Sequence, residues 1–226
     1  MTTQSIAVIG GTGPQGTGLA YRLAKGGHEV ILGSRDEGRA RTAADALATR
    51  LGGAATVSGA TNLEAARKAG IVLLAVPYDG HDELVASLRD VVAGKIVVSC
   101  VNPLGFDKQG AFGLDVPAGS AAESAAALLP DSIVVGAFHH LSAVTLWEHE
   151  GLVQEDVLVC GDDRTAKDEV ARLAVAITGR PGIDGGVLRV ARQLEPLTAV
   201  LINVNKRYKT HSGLAVNGVV HDPRAA

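Results

Sequence analysis

The segment GGTGPQG at residues 10–16 constrains the fold of this 226-residue chain more than any other feature. It follows the apolar run SIAVI and precedes a predicted helix at residues 14–25. Gly11, Gly13 and Gly16 have the spacing G-x-G-x-x-G. Between a strand and a helix, this spacing is typical of a dinucleotide site, because glycines permit a tight turn and close approach of a pyrophosphate. A purely structural turn is the alternative interpretation of these glycines.

Short β-branched runs alternate with longer helical patterns over the first 140 residues. Strands are predicted at 5–10, 29–34, 55–60, 71–77, 95–100 and 132–138, with helices at 36–51, 62–69 and 81–93. Strands that are apolar throughout indicate a parallel sheet covered by helices on both faces. We therefore predict an α/β protein with a doubly wound parallel sheet, the Rossmann fold, that binds its ligand at the carboxyl ends of the strands.

The remaining segments complete the predicted organisation. The Gly- and Pro-rich residues 101–118 are predicted as an irregular functional loop. An apolar run at 157–163, a helix at 165–177 and a long helix at 190–207 follow. We predict a dinucleotide-binding domain at 1–145 and a smaller C-terminal α/β domain at 146–226, whose last six residues fray.

The end of the second predicted strand indicates which dinucleotide binds. An NAD site typically places Asp or Glu there, to accept hydrogen bonds from the ribose hydroxyls. This chain has Ser34 and Arg35, with Arg39 one helical turn later. A hydroxyl and two guanidinium groups suit a 2′-phosphate, to which Thr12 in the glycine loop could add a second hydroxyl. The pattern favours NADP, although solvated arginines beside two acidic residues remain the alternative.

Composition excludes several other classes. The formal net charge of −3 argues against a nucleic-acid-binding protein. The longest apolar runs are far shorter than the ~20 residues of a membrane-spanning helix. Cys100 and Cys160 are isolated at the ends of apolar runs, so we expect reduced core thiols and no metal site. With no signal-peptide pattern at the N-terminus, we expect a cytoplasmic protein.

The sequence offers no acid–base catalyst. It contains no Ser–His–Asp arrangement, no Tyr-x-x-x-Lys pair and no metal-ligand spacing, so we assign no catalytic residue. His139 and His140 end the sixth predicted strand. Neighbouring residues on a strand face opposite ways, so we expect one histidine in the core and one, His139, in the cleft. Asn102 is a similar cleft candidate.

Six segments carry a resemblance to a known family. They are AVIGGTGPQGTGLAYRLAKGGHEVILGSR, LLAVPYDGH, KIVVSCVNPL, VVGAFHHLSA, VLVCGDD and RQLEPLTAVLINVNKR. In this order, over nearly the whole chain, they resemble the NADPH-dependent reductases of coenzyme F-420, an 8-hydroxy-5-deazaflavin. The resemblance implies an NADP domain, a smaller C-terminal part and hydride exchange between nicotinamide and deazaflavin. We also expect a homodimer.

The resemblance also implies the residues that contact NADP. They are Thr12, Gly13, Pro14, Gln15, Ser34, Arg35, Arg39, Val76, Tyr78, Leu104 and Ala143. Deazaflavin contacts at His140 and Ser142 cannot be transferred in the same way. Three basic residues lie at the end of the last predicted helix: Lys206, Arg207 and Lys209. They either contact the acidic tail of the deazaflavin or are present only because basic residues are favoured at the carboxyl end of a helix. A reductase of another small substrate (carbonyl, imine or metal) and a non-catalytic NADP sensor remain the alternatives.

Overall fold

The computed structural model describes residues 4–53 and 55–219, so the predicted fraying of residues 221–226 lies outside the described residues. The strands are β1 (Ser5–Ile9), β2 (Glu29–Ser34), β3 (Val57–Thr61), β4 (Ile71–Leu74), β5 (Ile96–Ser99), β6 (Leu104–Asp107), β7 (Gly110–Gly113), β8 (Ile133–Ala137), β9 (Leu158–Gly161) and β10 (Ile183–Gly186). The α-helices are α1 (Pro14–Lys25), α2 (Glu37–Arg50), α3 (Asn62–Lys68), α4 (His81–Val92), α5 (Ala121–Leu128), α6 (Ala143–Glu148), α7 (Arg164–Leu173), α8 (Val175–Thr178) and α9 (Ala191–Tyr208). No helix in these two ranges is long and apolar enough to cross a membrane.

Eight of the strands form one sheet in the order β10-β9-β8-β5-β4-β1-β2-β3. The strands from β3 to β8 in this order are all parallel, whereas β9 pairs antiparallel with β8 and parallel with β10. The chain runs outward from β1 toward β3 and then returns to β4 on the other side of β1. This reversal opens a crevice at the carboxyl ends of β1 and β4. The predicted doubly wound α/β fold is confirmed.

The sheet is buried on both faces, which explains the continuous apolar strands. In β1, Ile6 and Val8 belong to one core layer, while Ala7 and Ile9 belong to the other, and all four have no exposed surface. Buried residues of α1, α2, α6, α7 and α8 belong to the first core layer, and those of α3, α4, α5 and α9 belong to the second. Alternate residues of one strand thus supply both layers of the core.

Local capping explains where several helices begin. The Asp36 carboxylate accepts a hydrogen bond from the backbone N–H of Arg39 at 2.8 Å, at the start of α2. Asp163 does the same for the N–H of Ala166 at the start of α7. Each aspartate satisfies one of the amides that the first helical turn leaves unpaired, so the helix boundary is specified by the local sequence.

The expectation of an irregular loop at 101–118 is wrong over the hairpin formed by β6 and β7. Ala111 of the hairpin exchanges two hydrogen bonds with the Asn203 carboxamide of α9, at 2.9 and 2.8 Å. The hairpin therefore depends on a helix 92 residues away in the chain, and its glycine-rich strands carry little local signal.

Other elements also differ from the prediction. The expected helix at 165–177 is divided into α7 and α8, and the sequence analysis did not predict α5, α6 or β10. Strands β9 and β10 extend the sheet that β1 to β5 begin. The division of the chain at residue 145 stays a prediction.

Candidate functional site

The three glycines of the G-x-G-x-x-G motif after β1 have different surroundings. A Cβ atom on Gly16 would lie 2.5 Å from the carbonyl oxygen of Gly10, and one on Gly11 would lie 2.6 Å from Leu32 Cδ2. These two glycines therefore allow close packing of the loop, α1 and β2. A Cβ on Gly13 would meet only the Gly10 oxygen, at 3.4 Å, which is ordinary contact. The space before Gly13 is open, as close approach of a pyrophosphate requires.

Backbone hydrogen bonds hold this loop at the start of α1. The Gly11 N–H donates to the Gly33 carbonyl at 2.9 Å, and the Thr17 hydroxyl donates to the Gly11 carbonyl at 2.8 Å. Gly13 is the N-cap residue and supplies no side-chain cap to α1. The first amides of α1, except at Pro14, remain available to an anion together with the positive end of the helix dipole.

The end of β2 presents two arginines without partners. Arg35 and Arg39 are exposed, and the guanidinium of neither has a hydrogen bond or ion pair within the described residues. By contrast, Arg41 in the same helix pairs with Glu37 at 2.6 Å. Ser34 is buried, and its hydroxyl accepts from the N–H of Asp36 at 3.3 Å. Two unpaired guanidiniums next to the glycine loop are suited to bind a phosphate.

A cavity of about 440 Å³ lies at the carboxyl ends of β1, β4, β5 and β8. Eight of the predicted site residues line it: Gly13, Pro14, Gln15, Val76, Asn102, Leu104, His139 and Ala143. Tyr78 lines an adjoining cavity of about 670 Å³, which shares Asn102 and Leu104 with the first. Neither of these two cavities is lined by Thr12, Ser34, Arg35 or Arg39. Thr12 lies in the glycine loop, Ser34 ends β2, Arg35 follows it, and Arg39 lies in the first turn of α2. Gly11, in the loop, and Gly16, in the first turn of α1, are buried.

One wall of the cavity was not predicted as part of the site. It is the face of α9 that presents Thr198, Leu201, Ile202 and Asn205. These residues recur at helical spacing, which is equally typical of a helix face packed in a core. The pattern alone therefore does not distinguish a cavity wall from a core face. Only the tertiary position of α9 places these residues opposite the glycine loop.

His139 and Asn102 line this cavity, and their side chains hold buried polar atoms without partners. The His139 carbonyl accepts from Asn102 Nδ2 at 2.9 Å and from the Thr198 hydroxyl at 3.0 Å. Both ring nitrogens of His139 and the Asn102 Oδ1 atom are buried without a hydrogen-bond partner in the described chain. Because buried polar groups normally have partners, these three atoms, which have almost no accessible surface, are exceptions at the wall of the cavity.

The expectation that His139 and His140 face opposite ways is wrong. Strand β8 ends at Ala137, and Phe138 has a φ of +64°, so the alternation of a strand does not continue to the histidines. Both residues line the cavity, with ring centroids 6.0 Å apart. His140 Nε2 donates to the Leu194 carbonyl at 2.7 Å, which links this turn to α9.

The side chains that line the cavity are uncharged. Burial lowers the pKa of His139 to about 3 and also lowers the pKa of His140, so both imidazoles are neutral near pH 7. Burial raises the pKa of the Cys100 thiol to about 12, and the thiol donates to the Leu74 carbonyl at 2.9 Å. Among the described residues the lining includes no Asp, Glu, Lys or Arg. Such a site is suited to position neutral rings and exclude water, not to transfer protons.

Comparisons with known proteins decide the family. The family described as "NADP oxidoreductase coenzyme F420-dependent" matches residues 5–103. The F420-dependent NADP reductase of Methanothermobacter marburgensis is 41% identical over 205 residues, which cover 88% of this chain and 92% of that protein. The chain belongs to the F420-dependent NADP reductase family.

Two further relatives of this family cover almost the whole chain. The F420-dependent NADP reductase of Methanocaldococcus jannaschii is 39% identical over 211 residues, or 91% of this chain and 94% of that protein. A solved structure of a putative F420-dependent NADP-reductase from Arthrobacter sp. FB24 is 28% identical, with a TM-score of 0.77, and covers 94% and 99% of the two chains. The resemblance read from the sequence is thereby confirmed.

Proposed function

We propose that this protein transfers a hydride between NADP(H) and the deazaflavin coenzyme F-420. Its membership of the F420-dependent NADP reductase family supports the proposal. The observation that carries it is the uncharged cavity between the glycine loop and α9, which Asn102 and His139 line. Once bound, the nicotinamide and the deazaflavin themselves supply the hydride chemistry.

The glycine loop and the end of β2 would hold the phosphates of NADP. Open space before Gly13 and the free amides of α1, which begins with Pro14 and Gln15, suit the pyrophosphate. Arg35 and Arg39 would bind the 2′-phosphate as bidentate donors, with hydroxyls from Ser34 and Thr12 completing the phosphate site. Gly11 and Gly16 shape the turn without contributing side chains.

The cavity would hold the reacting rings. Val76, Leu104 and Ala143 provide apolar and small surfaces in it, and Tyr78 stands at the adjoining cavity. Asn102 Oδ1 accepts a hydrogen bond, while the neutral His139 ring offers one donor and one acceptor. The work of these residues is to orient the rings, since transfer of the hydride itself requires no acid or base from the protein. The proton that completes the reduced deazaflavin comes from the solvent. We assign no catalytic residue.

Three further features belong to the same proposal. We infer that the protein is a cytoplasmic homodimer, and that residues 146–226 form a smaller C-terminal domain that closes the deazaflavin cleft. Lys206, Arg207 and Lys209 are exposed at the end of α9, one helical turn or less from Asn205 of the cavity. They are suited to attract the acidic tail of the deazaflavin.

The proposal is tested by mixing the protein with oxidised F-420 and NADPH. We expect the deazaflavin absorbance band to decrease only when all three are present, and much more slowly with NADH. If NADPH binds but no deazaflavin is reduced, the protein is a sensor of NADP. If ferric salts, small carbonyls or imines are reduced instead, it is an NADP-dependent reductase of another substrate.

A further inference from the structure

Arg22 of α1 makes an unusual set of contacts for a buried arginine. Only 1% of its surface is exposed. Its guanidinium donates to the backbone carbonyls of Leu146 at 2.7 Å, Gly151 at 2.5 Å and Thr145 at 3.0 Å, and also to that of His149. All four carbonyls belong to α6 or to the three residues that follow it. One side chain therefore fixes the whole carboxyl end of α6.

Arg22 forms no ion pair with a carboxylate in the described part of the chain. The carbonyls at the end of α6 carry partial negative charge, which compensates the guanidinium together with the more distant charge of Glu155. The planar guanidinium has five N–H donors in fixed directions, so it satisfies several carbonyls in one arrangement. A lysine at this position keeps the charge but loses that geometry.

Helices α1 and α6 lie side by side and reach the cavity together. A Cβ atom on Gly18 would be only 2.8 Å from Leu146 Cβ, so the helices are in close contact in the middle. Pro14 and Gln15 at the start of α1, and Ala143 at the start of α6, line the same cavity. Fixing one helix against the other therefore sets the distance between two walls of the site.

We propose that Arg22 is a positioning residue for the nicotinamide end of NADP. By fixing α6 against α1, it places Ala143 and the adjoining histidine turn relative to the glycine loop, although Arg22 itself does not line the cavity. This inference rests on the proposed NADP function of the site. A misplacement of about 1 Å in such a site is worth roughly 10²-fold in rate.

The same region has other attachments that do not depend on Arg22. Lys25 Nζ donates to the Glu150 carbonyl at 2.9 Å, and the Arg50 guanidinium donates to the Trp147 carbonyl at 2.8 Å and lies 4.3 Å from the centre of the Trp147 ring. These contacts keep α6 on the protein when Arg22 is replaced. The expected defect is therefore a shift of α6 rather than its detachment.

The test compares two ligands in Arg22→Gln and Arg22→Lys. Adenosine 2′,5′-bisphosphate contains the 2′-phosphate end of NADP but no nicotinamide, so it does not reach α6. We expect its affinity to stay within about twofold of wild type, while the affinity for NADPH falls about tenfold in Arg22→Gln. Hydride transfer should fall by at least about the same factor. Lys25→Met, which removes an exposed contact from α1 to the same region, should change none of these quantities.

Two results would overturn the inference. One is an equal change, or no change, in the affinities for NADPH and for the bisphosphate in a folded Arg22 variant. The other is failure of both variants to fold, because Arg22 would then be required by the fold itself. If wild-type protein reduces no deazaflavin, the proposed function fails, yet the two binding constants still decide the role of Arg22.

Discussion

In the G-x-G-x-x-G motif, we expect Gly16 to be required for folding and Gly13 to be required for binding. Gly13→Ala adds a Cβ with ordinary contacts, so we expect a free energy of unfolding close to that of wild type but weaker NADPH binding. Gly16→Ala places its Cβ 2.5 Å from a backbone oxygen, and we expect it to lower the free energy of unfolding by about 1–3 kcal/mol. Urea denaturation and NADPH titration of both variants measure the difference. Equal destabilisation by the two substitutions would mean that Gly13 also serves only the turn.

The two unpaired arginines predict a selective effect on the cofactor. Replacing Arg35 and Arg39 by alanine should weaken NADPH binding by about 1.5–3 kcal/mol for each well-formed contact, because each hydrogen bond involves charged groups. NADH, which lacks the 2′-phosphate, should bind as before. Arg41→Ala is the matched control, since Arg41 is paired with Glu37 in the same helix. Equal losses for NADPH and NADH, measured by fluorescence titration, would contradict this assignment.

His139 is expected to act by position and not by proton transfer. Because burial lowers its pKa to about 3, the rate of hydride transfer should show no ionisation near the ordinary histidine value of 6.5. His139→Ala should slow turnover by up to about 10²-fold through misplacement of the rings, without abolishing it. Rates measured across pH for both proteins test this. Complete loss of activity in a folded variant would reveal a missed acid–base role.

Among the elements, α9 links the cavity wall to the core through Glu195. The Glu195 carboxylate accepts from the N–H groups of Ala121 and Ala122 at 2.8 and 3.0 Å, so it caps α5. Burial is the main cause that raises the pKa of Glu195 from 4.5 to about 7. Between pH 4.5 and about 7, Glu195 keeps its proton in the folded protein but loses it in the unfolded chain. Folding is therefore more favourable at the acidic end of this pH range.

This linkage predicts the pH dependence of stability. As pH rises from about 4.5 to about 7, the contribution of Glu195 to the free energy of unfolding should fall by about 3 kcal/mol. Glu195→Gln removes the titrating group, so the difference between variant and wild type should grow across this window in favour of the variant. Urea denaturation at several pH values measures it. A difference that does not change with pH would show that Glu195 is ionised throughout.

The elements also show which parts of the structure the sequence could predict. Helix α1 and strand β2 have the predicted bounds, because a glycine turn, a first-turn proline and a run of apolar residues define them locally. Helix α6 has six residues and Arg22 holds its carboxyl end, while Asn203 holds the hairpin, so both short elements rely on contacts from distant parts of the chain. Long-range contacts of this kind leave no periodicity to detect.

The same distinction applies to the site. The glycine loop and the end of β2 were predicted because their residues are close in sequence and have known spacings. Val76 and Tyr78, which follow β4, were predicted only from the family resemblance. The α9 wall was missed because residues such as Thr198 and Leu201 show the same helical spacing as core positions. The direction of His140 was missed because the left-handed conformation of Phe138 is not evident from its residue type.

Across the whole molecule, the topology of the sheet explains why one uncharged cavity is placed beside the proposed phosphate site. The reversal between β1 and β4 brings the glycine loop next to the carboxyl ends of β4, β5 and β8, and α9 encloses them. The unpaired arginines lie on the β2 side, and the rings would lie on the β5 side. The central claim that follows is direct hydride transfer between two bound rings, with no proton relay through the protein.

The measurement that tests this claim most directly uses NADPH carrying two deuterium atoms at C4, with oxidised F-420 and the wild-type protein. If the rings react directly, one deuterium appears at C5 of the reduced deazaflavin and none appears in water, because a transferred hydride does not exchange with solvent. Mass spectrometry or NMR of the product detects the label. Reduced deazaflavin without deuterium, with the label in the solvent, would contradict direct transfer and require an acid–base residue in this cavity.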